Sequence, residues 1–195
     1  MTITNGYTTL ADFKNLKSIV SMDSVDDGVI ENLIEQASRI IDTETGRTFY
    51  ARTETRYYNV PYGRQLIVDD DLLAVTKLTN GDGTEILATD YYLMPRNVSP
   101  KYAIVLKEMS GVYWTADSSG NTEYVIPVEG SWGYSATTPA DIRRACEGIV
   151  LSTYQNRYGQ TVTGVATVTG AGVVITPKDI PAESWQIIRA YRRIV

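Results

Sequence analysis

The sequence predicts an α+β fold. It is a small helical bundle, formed by an N-terminal helix pair and a later long helix, with an inserted antiparallel β region and a C-terminal arm and helix. Three observations carry this. Apolar residues recur at helical spacing from 26 to 49 and again from 139 to 158, the period drops to two between those stretches, and charge vanishes from 160 to 176 before a last helical pattern. The expected divisions are an N-terminal helical hairpin at 1–50, the inserted β region at 51–134, a bundle helix at 135–159, and an extended arm with the C-terminal helix at 160–195.

In chain order, Thr9 stands before an apolar stripe of Leu10, Phe13, Leu16 and Ile19, with Asp12 three residues on, a capping-box variant. Lys14 and Lys17 are expected to face water. Ser21 to Val25 is polar and predicts a short loop between antiparallel neighbours. The second helix carries Val29, Ile30, Leu33, Ile34, Ala37, Ile40 and Ile41 on one face, with Asp26 as expected N-cap and Gly46 as left-handed closure. At 1.5 Å per residue it is about 28 Å long, and it needs partners to bury that face.

After Arg52 the pattern T-E-T-R-Y-Y-N-V-P reads as a strand, Pro61–Arg64 as a turn and Gln65–Val68 as the next strand. Asp69-Asp70-Asp71 is expected to be a solvated turn, because adjacent strand residues point to opposite faces and no calcium-loop spacing follows. Leu72–Thr79 with Asn80-Gly81-Asp82-Gly83 gives a strand and a hairpin signal, and further strands are expected at Glu85–Leu87, Tyr91–Met94, Tyr102–Lys107 and Glu123–Val128. Ser110–Asn121, with Trp114, reads as an exposed loop or long hairpin tip. Thr138-Pro139-Ala140-Asp141 then opens a helix with Ile142, Ala145, Cys146, Ile149, Val150, Thr153 and Tyr154 in one stripe, closed by Gly159. The stretch 160–176 is Thr-, Val- and Gly-rich and is expected to be an extended arm or loose hairpin; Trp185, Ile187, Ile188, Tyr191 and Ile194 form the last helical pattern.

Composition narrows function. There is no histidine, which removes the commonest general base and the commonest metal ligand, and the lone Cys146 reads as a small buried hydrophobe. No nucleophile elbow, phosphate loop or dinucleotide fingerprint occurs, so the sequence predicts neither enzyme nor cofactor nor metal site. A net charge of -5 argues against a surface that grips nucleic acid through its phosphates. The polar first ten residues contain no apolar leader segment, and no apolar run is long enough to span a bilayer, which predicts a soluble intracellular protein with no membrane partner. Tyrosines number fourteen against two phenylalanines, a bias suited to half-buried strands and interfaces. Trp132 and Tyr134, just ahead of a capped helix, read as core or hinge residues before a stacking platform.

The ordered set Y-T-T-L-A-D-F-K at 7–14, T-G-R-T-F at 45–49, L-x-V-T-K-L-T at 73–79, V-I-P-V-E-G-S-W-G-Y at 125–134, Pro139 opening a helix and Y-Q-N-R-Y-G at 154–159 resembles the head-tail connector (adaptor, or head-completion) proteins of tailed bacteriophages. The resemblance spans about residues 7 to 159. It implies a structural virion protein at the head-tail interface, present in the host cytoplasm during assembly. Its implied partners are further copies of itself in a twelve-membered ring, the portal protein above, the tail or a second connector below, and double-stranded DNA passing through without specific contacts. Under that reading Trp185, Ile187, Ile188 and Tyr191 are candidate portal anchors, and the acidic residues Glu31, Glu35 and Asp42 of the long helix are candidate channel-facing groups, the lumen being expected to be acidic or neutral. Two other readings remain at this point: another phage tail-completion factor, and a ligand-binding β module using Tyr113 and Trp114.

Overall fold

The computed structural model describes residues 3–17, 24–158, 167–169, 172–174 and 180–193. The chain forms two compact units, a helical one from Met1–Gly46 with Thr138–Val195 and a β one from Arg47–Thr137. Together they make an α+β protein with a five-stranded antiparallel sheet.

The helical unit contains α1 (Leu10–Lys17), α2 (Asp27–Thr45), α3 (Ala140–Tyr158), a small antiparallel pair β6 (Thr167–Thr169) and β7 (Gly172–Val174), and α4 (Ala182–Ala190). Thr9 caps α1 as its spacing requires: its hydroxyl oxygen accepts the Asp12 N–H at 3.1 Å and its O–H donates to the Asp12 carboxylate at 2.8 Å. Phe13 is fully buried, whereas Leu16 is exposed; Ile19 and Gly159 lie outside the described residues. Lys14 does not face water. It is buried, with Nζ 2.5 Å from Asp27 Oδ1, because α1 turns that face toward the start of α2.

Asp26 does not cap α2 with its side chain. Its carboxylate instead accepts the Tyr154 O–H at 2.7 Å, while its backbone carbonyl receives the N–H groups of Val29 and Ile30. The far end follows the sequence: Gly46 is left-handed at φ 64° and its N–H donates to Asp42 O at 2.9 Å. Ile30, Leu33, Ile34, Ala37 and Ile41 are buried, but Ile40 sits on the flank and Ser38 takes its place in the core. That serine remains compatible with the core because its hydroxyl donates to Ile34 O at 2.7 Å and accepts the Tyr7 N–H at 3.0 Å.

α3 packs against α2 through Ile142, Ala145, Cys146, Ile149 and Val150, and its first turn begins at Pro139, whose carbonyl takes the Arg143 N–H. Cys146 is fully buried 3.7 Å from Ser38 Oγ, and burial pushes its thiol up to about 12. α4 lies against α3 and α2, and the Arg193 N–H donates to Thr45 O at 2.8 Å.

The β unit contains β1 (Arg52–Tyr58), β2 (Gln65–Leu78), β3 (Tyr91–Met94), β4 (Lys101–Leu106) and β5 (Ile126–Trp132), in sheet order β1-β5-β2-β4-β3. Two expected strands differ. Glu85–Leu87 supplies only a bridge, Thr79 to Glu85, and the strand expected at Glu123–Val128 starts at Ile126 and runs on to Trp132. β2 is one long strand that serves two neighbours: Gln65–Ile67 pairs with β4, and Leu72–Leu78 pairs with β5 through two register shifts. At Gly130 a Cβ would lie 2.3 Å from Ala74 O, so the β2 bulge and this glycine require each other. Leu66, Val68, Leu72, Leu78, Ile104, Leu106, Ile126, Val128 and Trp132 form the core.

The Asp69-Asp70-Asp71 triplet is therefore not a turn; it lies in the middle of β2. Trp114 is also not on an exposed tip. It is buried in the β core, and its indole N–H donates to Arg64 O at 3.1 Å. Asn80 fastens the surrounding loop, donating to Tyr113 O at 2.8 Å and accepting the Thr115 N–H at 2.9 Å.

Candidate functional site

The triplet gathers three arginines. Both oxygens of Asp71 lie 2.7 Å from Arg47 Nη1; Asp70 accepts from Arg52 Nη2 at 2.7 Å and Arg56 Nη2 at 2.8 Å; Asp69 accepts from Arg56 Nη1 at 3.0 Å. Arg52 and Arg56 are two turns of the pleat apart on the same face of β1, where strand alternation puts them, and both also reach Glu54. The Arg56 guanidinium lies 4.8 Å from the centre of the Trp132 ring. Burial opposes ionisation of Asp69, but hydrogen bonds from Tyr58 and Arg56 hold its carboxyl below the ordinary range. Burial, then the bond to Asp69, pushes the Tyr58 phenol well above its ordinary value. This is a structural ion-pair network, and no group of ligands able to hold a metal occurs among the described residues.

Beside it lies an open groove of about 580 Å³ between the end of β1 and the start of β2, roofed at one side by Tyr124. Tyr58 spans its floor, donating to Asp69 at 2.6 Å. Tyr57, Tyr62, Ile67 and Tyr124 turn outward and are exposed, Tyr62 fully so. Tyr124 holds φ 55°, a conformation costly for a bulky side chain, and its N–H is fixed to the Asn59 side-chain oxygen at 2.8 Å. The sequence pattern marks none of these four residues individually; the excess of tyrosine is the signal for the three tyrosines, and nothing marks Ile67.

The residues expected to face a channel share one side of α2. Glu31 and Glu35 are partly exposed, whereas Asp42 accepts the Tyr7 O–H and sits 3.2 Å from Arg39 Nε. The residues expected to anchor a portal are divided by α4: Ile188 is buried in its own unit, Tyr191 donates to Asp141 at 2.8 Å, and Trp185 and Ile187 are half-buried, with Arg189 stacked on the Trp185 ring. Tyr113 is exposed, with the Arg64 guanidinium 4.5 Å from its ring centre, while its neighbour Trp114 is enclosed, so of the two residues a ligand-binding module would use, Tyr113 alone reaches the surface. Among the described residues no helix is long and apolar enough to cross a membrane.

No family model matches the sequence, and the search of curated proteins returns no match. Solved structures do match: the chain has the fold of a protein from the neck of gene transfer agent particles. Against the neck of an empty particle computed with C6 symmetry, the TM-score is 0.61 at 14% identity, over 100% of this chain and 94% of that one. The neck of the native particle computed with C12 symmetry gives 0.58 at 14% identity over 100% and 93%, and the native virion gives 0.57 at 15% identity over 100% and 94%.

Proposed function

We propose that this protein is a structural head-tail connector of a tailed phage or phage-like particle, non-enzymatic, assembling as a twelve-membered ring beneath the portal. The ring continues the DNA channel and offers its far side to the tail or a second connector. The observation that carries this reading is the fold likeness to neck chains over the whole length of this chain, helical unit and β unit included. The composition supports it: an acidic protein without histidine suits a conduit that must not hold phosphates.

Within that reading the acidic side of α2, with Glu31 and Glu35 foremost, faces the channel or a neighbouring subunit, and the outer side of α4, with Trp185 and Ile187, meets the portal. Ile188 and Tyr191 then hold α4 in its own unit and shape the anchor from behind. The test is to mix the full-length chain with portal protein and measure mass and image symmetry, beside a chain truncated after Gln160. A twelve-fold ring on the portal, lost or weakened by truncation, is the expected result. Undiminished portal binding by the truncated chain refutes the anchor, and a continuous Lys/Arg band facing the ring axis refutes the acidic or neutral lumen.

A further inference from the structure

We infer that the aromatic groove between β1 and β2 is the socket for the β6–β7 pair of a second copy of this chain, which adds to the β1 edge of the neighbouring subunit. This rests on the ring reading and names the contact that builds it.

The groove adjoins a sheet edge, since β1 ends the five-stranded order and, among the described strands, pairs with β5 alone. An unpaired edge is a template for strand addition, and pockets beside it choose the side chains. Its outward residues Tyr57, Tyr62, Ile67 and Tyr124 are apolar or aromatic, and its one carboxylate, Asp69, is already engaged by Arg56 and Tyr58. The occupant should therefore be uncharged and strand-forming. The chain contains such a segment: residues 160–176 carry no charge and are rich in Val and Thr. Within it, β6 and β7 pair with each other and with no other described strand. A lone two-stranded sheet is marginal in water and gains from a third strand. Socket and plug are different surfaces of one chain, which is the heterologous contact that a ring requires. Tyr124, held at positive φ by Asn59, keeps one wall of the socket in place before the plug arrives.

The test mixes two full-length populations, one carrying Tyr57→Cys and the other Val173→Cys, assembles them with portal protein, measures ring mass, and oxidises. Native Cys146 stays silent because it is buried and its thiol is protonated. The expected result is a disulfide joining one chain of each kind, at least tenfold more abundant than in a control pairing Tyr57→Cys with Glu183→Cys. Rings without that link overturn the inference and leave the ring reading intact. No ring under any condition overturns both. In a third population carrying both substitutions, a link that forms at monomer mass, with none forming between the two singly substituted populations, overturns it in favour of a contact within one chain, and protection of Tyr57→Cys by portal alone overturns it in favour of that partner. Ile67→Glu provides a second measurement, expected to lower ring yield at least tenfold at an unchanged melting temperature; unchanged yield overturns the inference.

Discussion

Lys14 Nζ lies 2.5 Å from Asp27 Oδ1, with the lysine side chain 7% exposed and the aspartate 29%. This ion pair ties the short first helix to the start of the long one, and its two ends are unequal. Removing the aspartate leaves a buried ammonium short of its anion. Asp27→Asn should cost toward the lower end of about 3–5 kcal/mol, and Lys14→Met, which removes the buried charge itself, distinctly less. Urea unfolding of both variants checks the order, and equal losses would sink the argument.

Gly46 closes α2 at φ 64°. Gly46→Ala should destabilise by about 1–2 kcal/mol, the cost of a side chain in the left-handed region, and Gly46→Asn by less. Thermal melts rank the three chains.

Trp114 tests whether its loop belongs to the core. Trp114→Ala is expected to cost about 3–5 kcal/mol, as for a buried aromatic, where an exposed loop residue would cost under about 0.5 kcal/mol. Asn80→Ala should release the same loop and raise amide exchange at Thr115, whose N–H it holds.

Acid should act through Asp69. Its folded carboxyl titrates below the ordinary value, so its contribution is complete above about pH 4 and is lost as pH falls through the lower folded value. Stability measured from pH 6 to pH 2 should fall less steeply in Asp69→Asn than in the parent chain. Parallel profiles would exclude Asp69 as a contributor.

The elements that could be read from sequence were those fixed by neighbours within a turn or a pleat. Thr9 and Asp12 are three residues apart and cap each other, and Gly46 closes the helix that its own spacing marks out. The alternation after Arg52 and the stripe from Ile142 to Val150 behaved in the same way. What escaped depended on distant partners. A run of three aspartates is a turn by propensity, but Arg47, Arg52 and Arg56, which are remote in sequence, neutralise it and let the strand continue. Lys14 and the side chain of Asp26 depart from expectation for the same reason, each being claimed by a residue on another helix, although Asp26 does stand at the N-cap position. Trp114 sits among Gly and Ser that read as solvent-facing, yet it is Asn80 and Arg64 that decide its position. The socket residues carry no motif, because a groove is a property of two strands and only its tyrosines leave a trace in composition.

The network on β2 has an electrostatic consequence for a molecule proposed to stand beside moving DNA. Three aspartates and Glu54 set against three arginines make a densely charged patch whose sum is close to nothing. Its ions are spent on each other at hydrogen-bond distance, so its field fades within a few ångströms of the surface. Such a patch is rigid without being sticky: to a polyanion sliding past, it offers neither a foothold nor a brake.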